Sequence, residues 1–456
     1  MRITLLWYAG AMRRIISQKL QKWQLTKGRK PLILYGARQI GKTYILKDFA
    51  KHNFPKYHYL NFEEDPQLLK FFEQDLKVDR IIKELSLYLS QSINIKTDLL
   101  IFDEIQNCPK ALTSLKYFAE NIPELALVSA GSLLDLELSP ESFPVGKVEV
   151  MHMYPMTFME FLLALGEDDW HDYLRDFDYQ SQIAQPLHNT LLSYLKDYFV
   201  VGGMPKVVDT YVINKDGSLQ VYDRVRDQQE QIIQAVLADV AKHSGKENSM
   251  NITQTWQYMP SKLNAYYESD NARFRFKEVI KGKERYKDFI GVLDWLEKAN
   301  LVIRVPILEH IQVPLMSSMK ENIFKLYNYD IGILARLANL SPQRILSSDY
   351  GSFKGYFVEN FVAQELRAEI SHLDSLYSWK TKDHELEFVI NDREGRALPI
   401  EVKSGKTKTA TSFRKFIEKY EPGIKIIYSQ DNFSFDKEKS LYRLPLYMPC
   451  TTLIGH

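Results

Sequence analysis

Cysteine is nearly missing from this chain. Cys108 and Cys450 are the two among 456 residues, too few and too far apart for a disulfide framework or a zinc site. Such usage fits a reducing cytoplasm. Charge of one sign is not in excess either. Lys and Arg number 59 against 58 Asp and Glu, a net charge of +1, so no global field draws the chain to nucleic acid, and any such binding must come from local patches. The ten histidines form no H-E-x-x-H or other ligand spacing, and His58, His152 and His310 read as ordinary surface or core residues. No serine sits in a G-x-S-x-G elbow. Repeats and low-complexity tracts are absent, and no apolar run approaches the roughly 20 residues that span a bilayer. The opening MRITLLWYAGAMRR imitates a signal peptide but its leading stretch is too short for one, which leaves Met1 and Met12 as alternative starts. These absences predict a soluble cytoplasmic protein without a membrane partner. The length predicts two to four domains.

What is present begins at Gly36-Ala37-Arg38-Gln39-Ile40-Gly41-Lys42-Thr43, a complete G-x-x-x-x-G-K-[ST] pattern. Pro31–Tyr35 before it reads as a buried strand, and Tyr44–Ala50 after it as a helix with apolar residues three and four apart. Strand, glycine loop and helix N-terminus together make an anion cradle, with backbone N–H groups pointing inward. Lys42 is expected on the β- and γ-phosphates of ATP and the Thr43 hydroxyl on Mg²⁺. Asp98–Glu104 adds four apolar residues that end in two adjacent carboxylates, the place where open α/β sheets put their chemistry. Asp103 is the expected Mg²⁺ partner and Glu104 the base or water-positioner; the alternative is an ordinary strand with a solvated acidic turn. A third strand, Leu125–Ser132, ends in Ser132, a candidate sensor of the γ-phosphate. Tyr57–Phe62 reads as a further strand.

These segments, GARQIGKT, YLNFEED, LLIFDEIQ, SAGS and GKVEVMHMYPMTFMEFL, resemble a prokaryotic family of AAA-type ATPases whose members carry a C-terminal domain of unknown function resembling restriction endonucleases. Tyr198–Pro205 and Lys325–Leu334 fit it too, and the resemblance runs from about Met12 to about Tyr428. Where relatives tend to carry Gly-Arg, this chain has Gly146-Lys147. Lysine keeps the charge but lacks the planar fork of arginine, so an arginine-finger role there does not carry over.

Residues 151–225 are helix-rich and aromatic and read as a lid and connector. From 226 to 320 a helix ending DVAKH, a polar loop (Ser244–Ser249), a helix near Ile252–Leu263, a basic piece, a helix near Arg285–Ala299 and a strand at Leu301–Leu308 follow in the order of a winged helix. The basic piece, residues 273–287, interleaves cations with aromatics. It either tracks a phosphate backbone or is an amphipathic segment with Phe274 and Phe276 in the core.

In the tail, residues 321–456, a helix pattern at Gly355–Leu366 precedes strands at Glu385–Ile390 and Leu398–Lys403, with a hairpin turn at Asn391–Gly395 and a helix near Ser412–Tyr420. This order resembles the PD-(D/E)-x-K nuclease superfamily. By that resemblance Glu387 and Glu401 would hold Mg²⁺, Lys403 would position water or stabilise charge, and Glu359 would complete the acidic set. Glu387 stands where aspartate is commoner. The alternative is a domain that keeps the fold without the activity. The lysines and arginine at 403, 406, 408, 414, 415 and 419 would steer a polynucleotide or form a solvated edge.

The expectation is therefore an α/β protein: a P-loop ATPase core with a parallel sheet (12–150), a helical connector (151–225), a winged-helix-like middle (226–320) and a restriction-endonuclease-like tail (321–456). ATP and Mg²⁺ are the expected cofactors, and the partners left open are DNA or RNA, a protein, and a second copy of the chain. Three functions stand open: an ATP-driven switch or motor whose tail binds without cutting, an ATP-regulated nuclease, and an ATP-binding regulator without catalysis.

Overall fold

A computed structural model describes residues 13–131, 143–267, 274, 276–277, 279–372, 374–404, 411–449 and 453. The chain divides into two compact units, one from Arg13 to Tyr154 and one from Pro155 onward.

The first unit is built on five parallel strands: β1 (Leu32–Tyr35), β2 (Tyr57–Asn61), β3 (Leu99–Asp103), β4 (Ala126–Gly131) and β5 (Glu149–His152), in the spatial order β2-β3-β4-β1-β5. Parallel neighbours need crossover helices, which cover both faces of such a sheet. The longer helices are α1 (Ile16–Leu25), α2 (Lys42–Asn53), α3 (Val78–Tyr88) and α4 (Pro109–Asn121). Hence β1, β3 and β4 are buried at every position, whereas β2 alternates as an edge strand does. Phe102 packs between Phe62, Phe72 and Phe118 in edge-to-face contacts, which fixes β3 against the helices on one face. The α/β class and the parallel sheet match the expectation.

The second unit begins with helices: α5 (Phe158–Ala164), α6 (Asp168–Arg175), α7 (Gln185–Val201), α8 (Pro205–Asn214), α9 (Gln220–His243), α10 (Lys246–Tyr267) and α11 (Ile290–Lys298). Thr157 caps α5 in a reciprocal box with Glu160, which satisfies two orphan amides. The loop expected at Ser244–Ser249 is mostly helical, because α10 starts at Lys246. After α11 come β6 (Val302–Leu308), β7 (Met319–Asn328), α12 (Ile331–Leu337), α13 (Lys354–Glu369), β8 (Tyr377–Lys380), β9 (Glu385–Asn391), β10 (Ala397–Val402), α14 (Thr411–Tyr420), β11 (Lys425–Ser429), β12 (Ser434–Asp436) and β13 (Leu441–Pro445).

Among the described residues, the eight strands of this unit form one mixed sheet, ordered β12-β13-β11-β10-β9-β8-β6-β7. The strand that sequence order places in a wing, β6, pairs antiparallel with β7 and parallel with β8. The boundary expected between 320 and 321 thus falls inside β7. Phe274 of the basic piece is buried and donates its amide to the Phe324 carbonyl. The Phe276 ring lies 5.0 Å from that of Phe289. Phe274 belongs to the core and Phe276 packs against it half-buried, while Lys281, Arg285 and Lys287 are exposed.

Candidate functional site

The phosphate loop is shaped before any ligand enters. Gly36 has φ +157°, and a Cβ there would collide with the Met153 carbonyl, so the close approach of backbone to backbone requires glycine. Gly41, at φ +90°, turns the chain into α2. Lys42 opens that helix with its side chain buried, donating from Nζ to the carbonyls of Gly36 (2.8 Å) and Ala37 (2.9 Å). Burial pulls its pKa down to about 8, against the opposing pull of Glu104 and Asp103 and with a small push from Arg38.

Opposite the loop, β3 delivers Asp103. Its Oδ2 accepts the Thr43 hydroxyl at 2.7 Å and the Tyr59 hydroxyl at 2.7 Å. Asn61 donates to the Tyr59 oxygen, and its own Oδ1 accepts the amides of Glu63 and Glu64. The pairing Asn61↔Asp103 across β2 and β3 makes this chain of bonds possible. Glu104 follows in the left-handed region (φ +50°), which turns the chain sharply after the strand; its carboxylate accepts Gln106 Nε2 at 2.5 Å. The expected phosphate residues Gly36, Ala37, Arg38, Gln39, Ile40, Gly41, Lys42 and Thr43 therefore lie together with Asp103 and Glu104. Ser132 lies outside the described residues. Lys147 forms an ion pair with Glu120 at 2.9 Å.

Two residues here have no counterpart among the sequence expectations. Buried Arg14 donates to the Ile40 carbonyl at 3.0 Å and to the Tyr154 carbonyl at 2.6 Å, so it braces the loop from below. Tyr59 holds Asp103. The alternating Tyr57–Asn61 pattern was a signal for Tyr59, since it marks the face shared with the neighbouring strand end. Arg14 left none, because its partners are remote in sequence.

The second unit gathers a different cluster. Glu359 (α13), Lys325 and Tyr327 (β7), Glu385 and Glu387 (β9), and Glu401 and Lys403 (around β10) converge. Lys325 Nζ lies 2.6 Å from Glu385 Oε1 and 3.5 Å from Glu359 Oε2, and the Tyr327 hydroxyl donates to Glu359 Oε2 at 2.9 Å. Lys380 pairs with the other oxygen of Glu385 at 3.0 Å. Lys403 pairs with Glu401 Oε1, and the Val402 amide donates to Glu387 Oε2 at 3.0 Å. A register shift between Tyr377 and Trp379 sets Glu387 and Phe388 opposite Ser378, and such bulges re-aim side chains. Burial and the carboxylates of Glu401 and Glu359 push Glu387 well above the carboxylate range. Burial works against the charge on Lys325, but Glu359, Glu385 and Glu387 outweigh it and hold the ammonium well above its ordinary value.

The two sites differ in how they fit an ion. At the loop, a hydroxyl and a carboxylate converge next to a glycine cradle, a donor set suited to Mg²⁺ with phosphates. In the second cluster, lysines already pair with Glu359, with both oxygens of Glu385 and with Glu401. Among the described residues, no group of three or more His, Cys, Asp or Glu is arranged to hold a metal ion. The cluster as built does not fit the metal implied by the nuclease resemblance. Of the basic run, Arg414 and Lys415 pair with Glu418, Lys419 lies over the Tyr420 ring, and Lys406 and Lys408 lie outside the described residues.

Comparison with known proteins agrees with the first unit. Residues 28–162 match an AAA domain. Residues 192–344 match one domain of unknown function (DUF8612), and residues 354–447 match another (DUF4143). The chain is 23% identical over 307 residues to the uncharacterised protein MJ1637 of Methanocaldococcus jannaschii, covering 64% of this chain and 60% of that protein. Among solved structures, it is similar to the Walker-type ATPase Paby2304 of Pyrococcus abyssi (15% identity, 70% of this chain and 94% of that one, TM-score 0.43). It is also similar to the RuvB Holliday junction branch migration motor of Thermotoga maritima (15%, 64% and 87%, TM-score 0.31). No helix among the described residues is long and apolar enough to cross a membrane.

Proposed function

We propose that the first unit binds and hydrolyses ATP with Mg²⁺, as the nucleotide-driven part of a switch or motor. The observation that carries this reading is the convergence of Lys42, Thr43, Asp103 and Glu104 at the end of β3 and the start of α2. Mg·ATP would supply the scissile phosphoanhydride and the charge-neutralising cation. The protein's own groups do the rest. Lys42 exchanges its two loop carbonyls for phosphate oxygens. Thr43 and Asp103 would hold the metal, with Tyr59 fixing the carboxylate. Glu104 orients the attacking water, and Ser132 is the proposed sensor of the γ-phosphate. The tail, in this reading, binds nucleic acid or a protein partner without cutting.

Steady-state ATP turnover tests the first part. Wild type is expected to turn over, while Lys42→Ala loses nucleotide binding and Glu104→Gln keeps binding but loses turnover by about 100-fold or more. A wild-type protein that binds ATP without turnover would leave the regulator reading standing. For the tail, nucleic-acid binding that weakens steeply between about 50 and 200 mM salt would point to phosphate contacts, and a flat response would favour a protein partner.

A second reading, an ATP-regulated nuclease, draws on the chain order α13-β8-β9-β10-α14-β11 and the nearness of Glu359, Glu387, Glu401 and Lys403. It requires Mg²⁺-dependent cleavage of DNA or RNA that Lys403→Ala abolishes.

A further inference from the structure

The second cluster places a lysine beside the acids that a nuclease-like core would use for a metal. Lys325 comes from β7, outside the helix-strand-strand set that carries the expected acids. Its ammonium lies between Glu385 and Glu359, within 3.5 Å of both, and is buried. The other acids are spoken for as well: Glu359 by the Tyr327 hydroxyl, Glu385 by Lys380, Glu401 by Lys403 and Glu387 by the Val402 amide.

Charge sharpens the point. Glu359, Glu385, Glu387 and Glu401 face Lys325, Lys380 and Lys403. Even fully ionised, four carboxylates against three ammoniums leave a single negative charge. A dication entering this largely buried site would have to expel an ammonium or leave uncompensated positive charge in a poorly solvated place. Hard cations bind where carboxylate oxygens are in excess. One observation runs the other way: Glu401 Oε2 is buried with no hydrogen-bond partner. That oxygen is the one a cation would have to find.

We infer that the Lys325 ammonium is the built-in cation of this cluster, so that the tail assembles and works without a divalent metal. The inference rests on the reading of the tail as a domain that binds without cutting, and it concerns the ion alone. A metal-free cluster of this kind holds the tail together by itself: the ion pairs join β7, α13, β8 and β9, and the Val402 amide ties β10 to Glu387.

The test is thermal unfolding of the nucleotide-free full chain with and without millimolar Mn²⁺, in wild type, Glu401→Gln, Lys325→Met and Lys325→Met/Glu401→Gln. Metal bound elsewhere cancels, since only the part of a shift that Glu401→Gln removes belongs to this cluster. The expected result is no such part in wild type (under about 1 °C) and a rise of several degrees in Lys325→Met that the added Glu401→Gln abolishes. Wild-type stabilisation by Mn²⁺ that Glu401→Gln removes would overturn the inference. A folded Lys325→Met without any gain would overturn it too. If Lys325→Met is not recovered folded, Lys325→Met/Glu385→Gln, which removes one charge of each sign, replaces it and the same comparison decides. Failure of this inference leaves ATP turnover untouched, whereas failure of the ATPase reading leaves these melting curves unchanged.

Discussion

Lys42 is held in a costly place. Its ammonium is buried against two carbonyls, and its pKa falls to about 8 from 10.5. Two pH effects of opposite sign follow. The folded loop releases its proton before the unfolded chain does, so between about pH 8 and 10.5 the folded state binds fewer protons and its stability rises with pH. Nucleotide binding goes the other way. Phosphates favour the ammonium, so affinity owed to this group is flat below about pH 8 and falls by up to about tenfold per pH unit above it. Calorimetry in buffers of different ionisation enthalpy checks this: binding near pH 8.5 should take up protons, and binding near pH 6.5 should not, as far as Lys42 is concerned. Equal proton uptake at both values would remove Lys42 as the source. The loop, Asp103 and Glu104 were legible in the sequence because their chemistry is local: a spacing of residues, and a strand ending in acids. Arg14 was not, since it reaches Ile40 and Tyr154 only after the sheet has formed. Lys325 was hidden for a similar reason. It sits two positions before Tyr327 on one strand face, a pairing that looks like any half-buried strand until Glu359 and Glu385 arrive from elsewhere.

At the scale of elements, the junction between α7 and α8 shows how a motif can be structural. Gly203 donates its amide to Asp330 Oδ2 at 2.6 Å and its carbonyl accepts the Met156 amide at 2.7 Å. A Cβ on Gly203 would run into the Met156 backbone, 2.7 Å from its nitrogen and nearer still to its carbonyl oxygen. Asp330 also caps α12 through the Ile333 amide at 2.9 Å; burial pushes its pKa up to about 6 even though these amides pull it down. So the two segments singled out in the sequence, Tyr198–Pro205 and Lys325–Leu334, meet at one buried carboxylate. Because both colliding groups are backbone, nothing flexible can yield. Gly203→Ala should cost about 3 kcal/mol, the upper part of the usual overpacking range. Denaturant unfolding of the second unit reads this directly, and a loss below about 0.5 kcal/mol would show that the turn adapts. The sequence announced these segments by resemblance but gave no reason for them, since the reason is a contact between parts of the chain more than a hundred residues apart.

The same non-local logic governs the second unit as a whole. Helices followed by a strand pair suggested a winged helix up to residue 320, and local pattern could not say otherwise. What decides is register: Ile307 pairs with Ser378 and Leu308 with Trp379 in a parallel ladder, and β7 covers β6 on its other side. Leu308 and Leu315 lie in one core with Trp379, Leu386 and Phe416. A fragment starting at residue 321 would thus lose β6, the first two residues of β7 and part of this core, and would expose the bonding edge of β8. Lys325 would remain, but on a strand stripped of its sheet neighbour β6. We expect residues 321–456 to be recovered as an aggregating or molten species, because an uncovered strand edge beside an incomplete core invites intermolecular pairing. Residues 155–456, which keep every strand of the sheet, should unfold cooperatively. Circular dichroism melts and limited proteolysis of the two fragments separate the cases. A cooperative melt of the shorter fragment would mean that β6 and most of the helical layer are dispensable to the tail, and would restore a domain boundary near residue 320.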